Sequence, residues 1–516
     1  MTKIADLLYN FIFYVLKYVG LIFALLLFIS ALLFSFHDTD ITTMVAFIKS
    51  DNILTNITGL FVMLSLLFII HIPYRKKNTL TTRILLISTL ILYALSGIFL
   101  ILFVKSAPLT DSQYVYEIAL QCSNGNFEAI NPDSYLSVYP HQIGLVGFYE
   151  PFLRFWNLLP TSVEGYVFLQ YINLFFVLLM LYFSHKIITM IFKDSFVSVC
   201  FFITTWLFWP CMFYILRIYG DIPSISLFIV GSWAFISLLE NRTKKPLLTA
   251  LLSIVCFIIS IATRKNILIP LVGLIIISAF IILKQKKWRL FILLFLYLIV
   301  GFCTLPTIQS LYETRAKNHL DEGTPAITYI YMGTQPGFHA NGWYNTYNYN
   351  IYVESGHKID FIRNYTKKKL ENQLDYFFKN PKEAYLFYFE KFTSQWTDST
   401  YYSREVTARP SSDRIPLFEK FYSKDGGKIY TFFSNQFQNL LYFGTLIFCI
   451  STFFKKSDKN LLSYLCIFIA FLGFIFHMIW EANSRAILAY AILLLPQSAA
   501  GISLFIKKLH KFKNFL

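Results

Sequence analysis

Residues 267–283 read ILIPLVGLIIISAFIIL, without a single charged side chain. Thr263-Arg264-Lys265-Asn266 stands before this run, and Lys284-Gln285-Lys286-Lys287-Trp288-Arg289 follows it. A helix rising about 1.5 Å per residue needs about 20 such residues to cross a bilayer. An uncharged run closed by cations at both ends therefore reads as a membrane span. Working outward, further runs of this kind lie near 11–36, 53–72, 84–105, 164–184, 196–216, 222–239, 247–262, 290–311, 436–454, 461–480 and 487–506, which makes about twelve spans.

The composition agrees. Of 516 residues, 56% are hydrophobic and 14% are charged, against roughly 25% charged in a soluble domain. The mean hydropathy is +0.55. These values exclude a disordered chain, a coiled coil and a secreted soluble enzyme. They predict an all-α polytopic membrane protein. No cleavable signal peptide is expected, since the first apolar run is too long for one. Six of the seven cysteines fall in or beside apolar runs, and only Cys122 stands clearly in a loop. There is no CxxC pair and no Cys/His zinc spacing, so neither a disulfide framework nor a zinc site is expected.

The net charge of +16 is explained by where the cations sit. Arg75, Lys76, Lys77 and Arg83 follow the second run. Lys186 and Lys193, then Arg242, Lys244 and Lys245, then Lys284 to Arg289 follow the fourth, sixth and eighth. Lys455, Lys456 and Lys459 follow the tenth, and Lys507, Lys508, Lys511 and Lys513 end the chain. All fall on one side if the chain starts in the cytoplasm, as the positive-inside rule requires. Both termini are then cytoplasmic, and nucleic acid is not an expected partner. The segments are expected to be 1–105, a first outer loop 106–163, central spans 164–311, a second outer loop 312–435 packed as a cap, and 436–516. Chemistry is expected in the two outer loops.

Short polar motifs mark that outer face. Pro108-Leu109-Thr110-Asp111-Ser112-Gln113-Tyr114 places a carboxylate just past a span end, where it either caps a short helix or meets a substrate. Tyr139-Pro140-His141-Gln142 offers hydroxyl, imidazole and amide groups beside aromatic faces, as a sugar pocket or an interfacial belt would. Arg217-Ile218-Tyr219-Gly220-Asp221 fills a very short turn, where Arg217 and Asp221 either pair or serve a site. Arg264 and Lys265 lie on the side where cations are disfavoured. A lipid phosphate is the natural reason, because guanidinium binds phosphate in bidentate fashion. Arg485, in Glu481-Ala482-Asn483-Ser484-Arg485, is a third outer cation, whose plain alternative is a local pair with Glu481.

The order of these motifs resembles the GT-C superfamily of glycosyltransferases that use polyprenyl-phosphate sugars, including the protein-mannosyltransferase-like and aminoarabinose-transferase-like branches. The resemblance implies a first catalytic acid at Asp111, a second at Asp221, and donor-phosphate binding by Arg264, Lys265 and Arg485. Its expected activity moves a sugar from an undecaprenyl-phosphate donor to a cell-wall glycan, teichoic acid or similar outer acceptor. The reaction would be one inverting displacement with Asp111 as base. Tyr139, His141, Gln142, Trp343, Tyr344 and Trp396 would bind sugar or acceptor. A divalent cation (Mg or Mn) would have to use Asp111 and Asp221. In the superfamily the catalytic loop usually follows the first span, whereas here it follows the third. Asp38 and Asp40 therefore stand as competing acids, read otherwise as caps of a short helix. The alternative functions are a lipid-linked glycan flippase or a glycan polymerase. The Lys-, Asn- and Phe-rich composition points to a Gram-positive source.

Overall fold

Lipid offers no partner to a backbone N–H or C=O, so apolar runs of this length fold as helices. The computed structural model describes residues 2–38, 46–74, 78–454 and 460–513. Helix α1 (Thr2–Leu33) leads directly into an antiparallel hairpin, β1 (Phe34–Asp38) and β2 (Ala46–Ser50), with Phe34 opposite Ser50. Asp38 thus ends a strand, and Asp40 lies outside the described residues. Helices α2 (Ile53–Tyr74) and α3 (Asn78–Val104) follow. The first loop folds as α4 (Asp111–Ser123), α5 (Tyr135–Val138) and α6 (Ile143–Asn157).

The central bundle consists of α7 (Gly165–Ile191), α8 (Ser195–Trp206), α9 (Trp209–Phe213), α10 (Asp221–Leu239), α11 (Pro246–Thr263), α12 (Leu268–Gln285) and α13 (Leu290–Ala316). The second loop holds α14 (Ala326–Met332), α15 (Tyr347–Glu354), α16 (Ile359–Lys379), α17 (Pro381–Trp396) and α18 (Pro416–Tyr422). The chain closes with α19 (Lys424–Phe453), α20 (Leu465–Ile479) and α21 (Leu488–Lys513). Among the described residues, ten helices are long and apolar enough to cross a membrane. The protein is an all-α polytopic membrane protein.

Two of the expected spans differ from that description. The run 196–216 is broken after Trp206: α8 stops, Pro210 starts the short α9, and residues 214–220 are irregular. Helix α7 makes this tolerable by supplying donors. Asn173 Nδ2 donates to the carbonyls of Ile215 (3.1 Å) and Arg217 (2.8 Å). Gln170 Nε2 donates to those of Ser106 (2.9 Å) and Leu216 (3.1 Å). Helix α19 is long enough, but Asn435, Gln436, Gln438 and Asn439 interrupt its apolar run. It packs against α1, α2 and α21, and Gln436 Nε2 donates to Asn56 Oδ1 at 3.0 Å.

The basic helix ends gather on one face. Lys507 pairs with Asp194, Lys287 donates to the Leu239 carbonyl, and Lys284 lies 3.8 Å from the Tyr9 ring centroid. The clusters at Arg75–Lys77 and Lys455–Lys459 lie outside the described residues. Both long loops and the turns 217–221, 264–266 and 480–485 meet on the opposite face. Arg315 grips Glu150 there through both carboxylate oxygens (2.8 and 2.5 Å), which fixes α6 to the end of α13.

Asn173 is fully buried and serves two carbonyls. Asn173→Leu is expected to destabilise the protein by about 1–3 kcal/mol for each group left unpaired, read as a lowered thermal unfolding midpoint in detergent, with an exposed control such as Leu158→Ala unchanged.

Candidate functional site

The site is built around the turn Arg217–Asp221. Gly220 has φ +78°, and a Cβ on it would lie 2.3 Å from the Thr263 carbonyl oxygen. Only glycine adopts this conformation at that distance without strain. The turn can therefore rest on the end of α11, and Asp221 Oδ1 forms an ion pair with Arg264. Gly144 at the start of α6 grips the same helix end, 2.3 Å from the Ala262 carbonyl oxygen by the same measure. The two expected motifs at Asp221 and Arg264 thus meet, and the alternative Arg217–Asp221 pair is not formed.

Tyr219 occupies the centre. Its hydroxyl donates to Asp111 Oδ2 at 3.1 Å and accepts from Gln142 Nε2 at 2.6 Å. Three guanidiniums surround its ring: Arg485 at 5.0 Å from the centroid, Arg217 at 5.1 Å and Arg264 at 5.9 Å. Cations favour the electron-rich face of an aromatic ring. Asp111 opens α4 but makes no capping bond, and Thr110 before it has φ +51°. Such a backbone costs about 1–3 kcal/mol and persists only where surroundings impose it. Here Ser112 exchanges hydrogen bonds with both backbone groups of Leu109, and Arg409 from the second loop donates to the Pro108 carbonyl at 3.0 Å.

Cations outnumber acids around this ring. Arg217 is 3% exposed, and burial followed by Arg485 lowers its affinity for the proton. Lys265 is exposed at the rim. Burial pushes the His141 imidazole down to about 4, with Lys265 acting the same way and Asp111 opposing, so it is neutral at pH 7. Burial pushes the Glu481 carboxyl up to about 7, against the pull of Arg485 and Lys391. Among the described residues no ion pair joins Glu481 to Arg485.

The Glu481–Arg485 turn owes its position to α17 and the residues after it. Lys391 Nζ donates to the carbonyls of Gly333 (2.6 Å), Met478 (3.0 Å) and Trp480 (3.1 Å). Gln395 Nε2 donates to the Ala482 carbonyl at 3.0 Å, and Ser484 Oγ donates to Asp398 Oδ2 at 2.5 Å. This corrects the expected role of Trp396, which is fully buried between Phe23 and Tyr490. Trp343 is corrected likewise: it is 2% exposed, packs on Phe36 and donates to Ser394 Oγ at 3.0 Å. Neither presents a face to a sugar. Tyr344 is open, and its hydroxyl lies 3.3 Å from that of Tyr139, where the two loops touch. Tyr139 continues into an aromatic row through Tyr135 and Tyr114, with centroids 5.2 and 5.1 Å apart.

Behind the ring, a small cleft opens between α10, α12 and α21. Asp221, Arg264 and Arg485 line it at one end, and Ile225, Ile267, Pro270 and Leu488 lie along its walls. Asp221 Oδ2 and Arg485 Nε are buried without a hydrogen-bond partner. Among the described residues no group of three His, Cys, Asp or Glu side chains could hold a metal ion. With Arg264 on Asp221, the acids here do not form the oxygen-rich cage that a divalent cation takes.

Tyr219, Tyr135 and Lys391 were not among the expected site residues, and Arg217 entered only as the alternative partner of Asp221. Tyr219 and Arg217 stand within the motif that nominated Asp221, and a buried-polar reading of that motif could have found them. Nothing local to Lys391 announces its three carbonyl partners.

Glu481 supplies a pH test. Its pKa is raised from 4.5 to about 7, so the folded state binds more protons in that window and stability falls as pH rises through it. Lys391, lowered by burial from 10.5 to about 7, acts with the opposite sign and above that window. Glu481→Gln is expected to flatten the decline of thermal stability between about pH 4.5 and 7, as followed by unfolding midpoints across that range.

A comparison with curated proteins finds no match. Residues 1–503 match the family described as conserved hypothetical integral membrane protein, and the chain belongs to that family.

Proposed function

We propose that the protein is a GT-C-like glycosyltransferase that takes a sugar from a polyprenyl-phosphate donor and transfers it to an acceptor on the loop-bearing face. The observation that carries this reading is the convergence of Arg217, Arg264 and Arg485 on Tyr219, whose hydroxyl holds Asp111. Guanidiniums at the mouth of an apolar cleft between helices suit a phosphate attached to a lipid. By the positive-inside rule the loop-bearing face is the outer one. Undecaprenyl phosphate as carrier, a wall glycan or teichoic acid as acceptor, and a Gram-positive cell membrane remain part of this proposal.

Asp111 takes the proton of an acceptor hydroxyl, and the oxygen forms its bond to the anomeric carbon from the side opposite the phosphate. The bond from that carbon to the phosphate oxygen breaks, and its electron pair leaves with the lipid phosphate. Arg264 and Arg485 stabilise the charge that develops there. Tyr219 and Gln142 orient the Asp111 carboxylate. His141, neutral at pH 7, and the Tyr139–Tyr344 pair are placed to meet sugar hydroxyls. Asp221 orients Arg264, which assigns it a positioning role in place of a second base.

The test is transfer by purified protein from a panel of polyprenyl-phosphate sugars. Asp111→Asn is expected to lower turnover by about 10²–10⁴-fold, the usual share of a general base, with an unchanged unfolding midpoint. Arg264→Gln and Arg485→Gln are expected to raise KM for the lipid donor and lower its turnover. Wild-type protein that transfers no sugar but moves a lipid-linked glycan across liposomes would replace this reading with the flippase.

A further inference from the structure

Glu481 stands inside the site yet has no task in the reaction above. Its backbone is held from two sides. The N–H donates to the Tyr329 carbonyl at 3.0 Å, and Trp480 before it stacks on the Tyr329 ring, with centroids 5.4 Å apart and planes at 8°. Gly333 lets the end of α14 close on this segment, since a Cβ there would lie 2.3 Å from the Ile479 carbonyl oxygen. From the other side Lys391 Nζ donates to the Trp480 carbonyl at 3.1 Å. The side chain of Glu481 does none of this holding. Among the described residues its half-buried carboxylate has no hydrogen-bond or ion-pair partner.

Its neighbours place it between the two ends of the reaction. Besides burial, the charges of Arg485, Lys391 and Asp111 act on it. Tyr344, 36% exposed, is reached by the charges of both Asp111 and Glu481. Tyr329 is reached by Glu481 and Tyr344. An in-line displacement puts the acceptor oxygen beside Asp111 and the departing phosphate beside Arg485. The sugar being transferred lies between these two, where Glu481 and the hydroxyls of Tyr344 and Tyr139 stand. A half-buried carboxylate without a donor is costly. Sugar hydroxyls offset that cost, because a carboxylate accepts on both oxygens and hydrogen bonds to an ionised group are the stronger kind.

We propose that Glu481 is the specificity-determining residue for the transferred sugar, its carboxylate accepting hydrogen bonds from the sugar's hydroxyls and repelling acidic sugars. This rests on the glycosyl-transfer reading and narrows the donor to a polyprenyl phosphate that carries a neutral sugar. Discrimination of this kind sets an attractive contact against one sugar and a like charge against another.

Binding to the purified protein in nanodiscs tests this, with decaprenyl phosphate and its glucosyl, galactosyl and glucuronyl derivatives as probes. Wild type is expected to bind the two neutral sugar lipids more tightly than the glucuronyl one. Glu481→Gln is expected to weaken the neutral sugar lipids about tenfold, the share of hydrogen bonds to a charged group. It is also expected to narrow their advantage over the glucuronyl lipid and to leave bare decaprenyl phosphate unchanged. Glu481→Asp, which keeps the charge, is expected to retain the preference for neutral sugars, and Arg485→Gln to weaken all four lipids. Equal loss of bare and sugar-bearing lipids in Glu481→Gln would overturn the proposal, because Glu481 would then only support the turn. So would unchanged binding of every lipid, or a glucuronyl lipid held by wild type as tightly as the neutral ones. In each of these cases, binding of decaprenyl phosphate by wild type leaves the transfer reading standing. Wild type that binds none of the four lipids removes both.

Discussion

Inside a bilayer a carbonyl oxygen that lacks a donor has no water to turn to, and the cost of leaving it bare is roughly 2–7 kcal/mol. The loop-bearing face of this protein is organised by that constraint. Its backbone leaves the helical state in two buried places, after α9 and after α20. In both, buried side chains from a neighbouring helix supply the missing donors: Asn173 and Gln170 from α7, Lys391 and Gln395 from α17. The irregular segments so stabilised are the ones that present Tyr219, Asp221, Glu481 and Arg485.

The same arrangement separates residues that act from residues that hold. Asp111, Arg264 and Arg485 face the cleft or the ring of Tyr219, whereas Lys391 and Gln395 are buried and turned toward backbone, and Asp398 is buried against Ser484 and Thr400. The charges in the centre are kept close by aromatic faces and by one direct pair, Asp221 with Arg264, so that the guanidiniums retain unused donors. An excess of partly buried cations with spare donors is unfavourable without an anion, and this links the proposed lipid-phosphate substrate to the energetics of the fold itself.

Much of the plan was legible in the sequence. Uncharged runs named nearly every membrane-spanning helix, the lysine-rich ends named a common face, and cations that break the charge trend named Arg264 and Arg485. Sequence reading failed where helical propensity and apolarity were overridden. The run 196–216 looks like one span, but Pro210 and the donors on α7 permit a break. Trp343 and Trp396 look like exposed platforms in a polar loop, yet that loop folds inward and buries both. Asp38, read as a cap, ends a strand because the chain after α1 turns back as a hairpin.

The sequence by itself determined the class of the protein and the face on which its charged motifs gather, because apolar length and charge distribution act locally along the chain. It also nominated Asp111, Asp221 and Arg264. Only the tertiary structure decided that Tyr219 joins them. The turn 217–221 meets Asp111 and Gln142, more than 70 positions earlier in the chain, through hydrogen bonds of 3.1 and 2.6 Å. That meeting depends on Gly220 lying against the Thr263 carbonyl and on donors from α7 and α17, contacts between distant segments that no local pattern encodes.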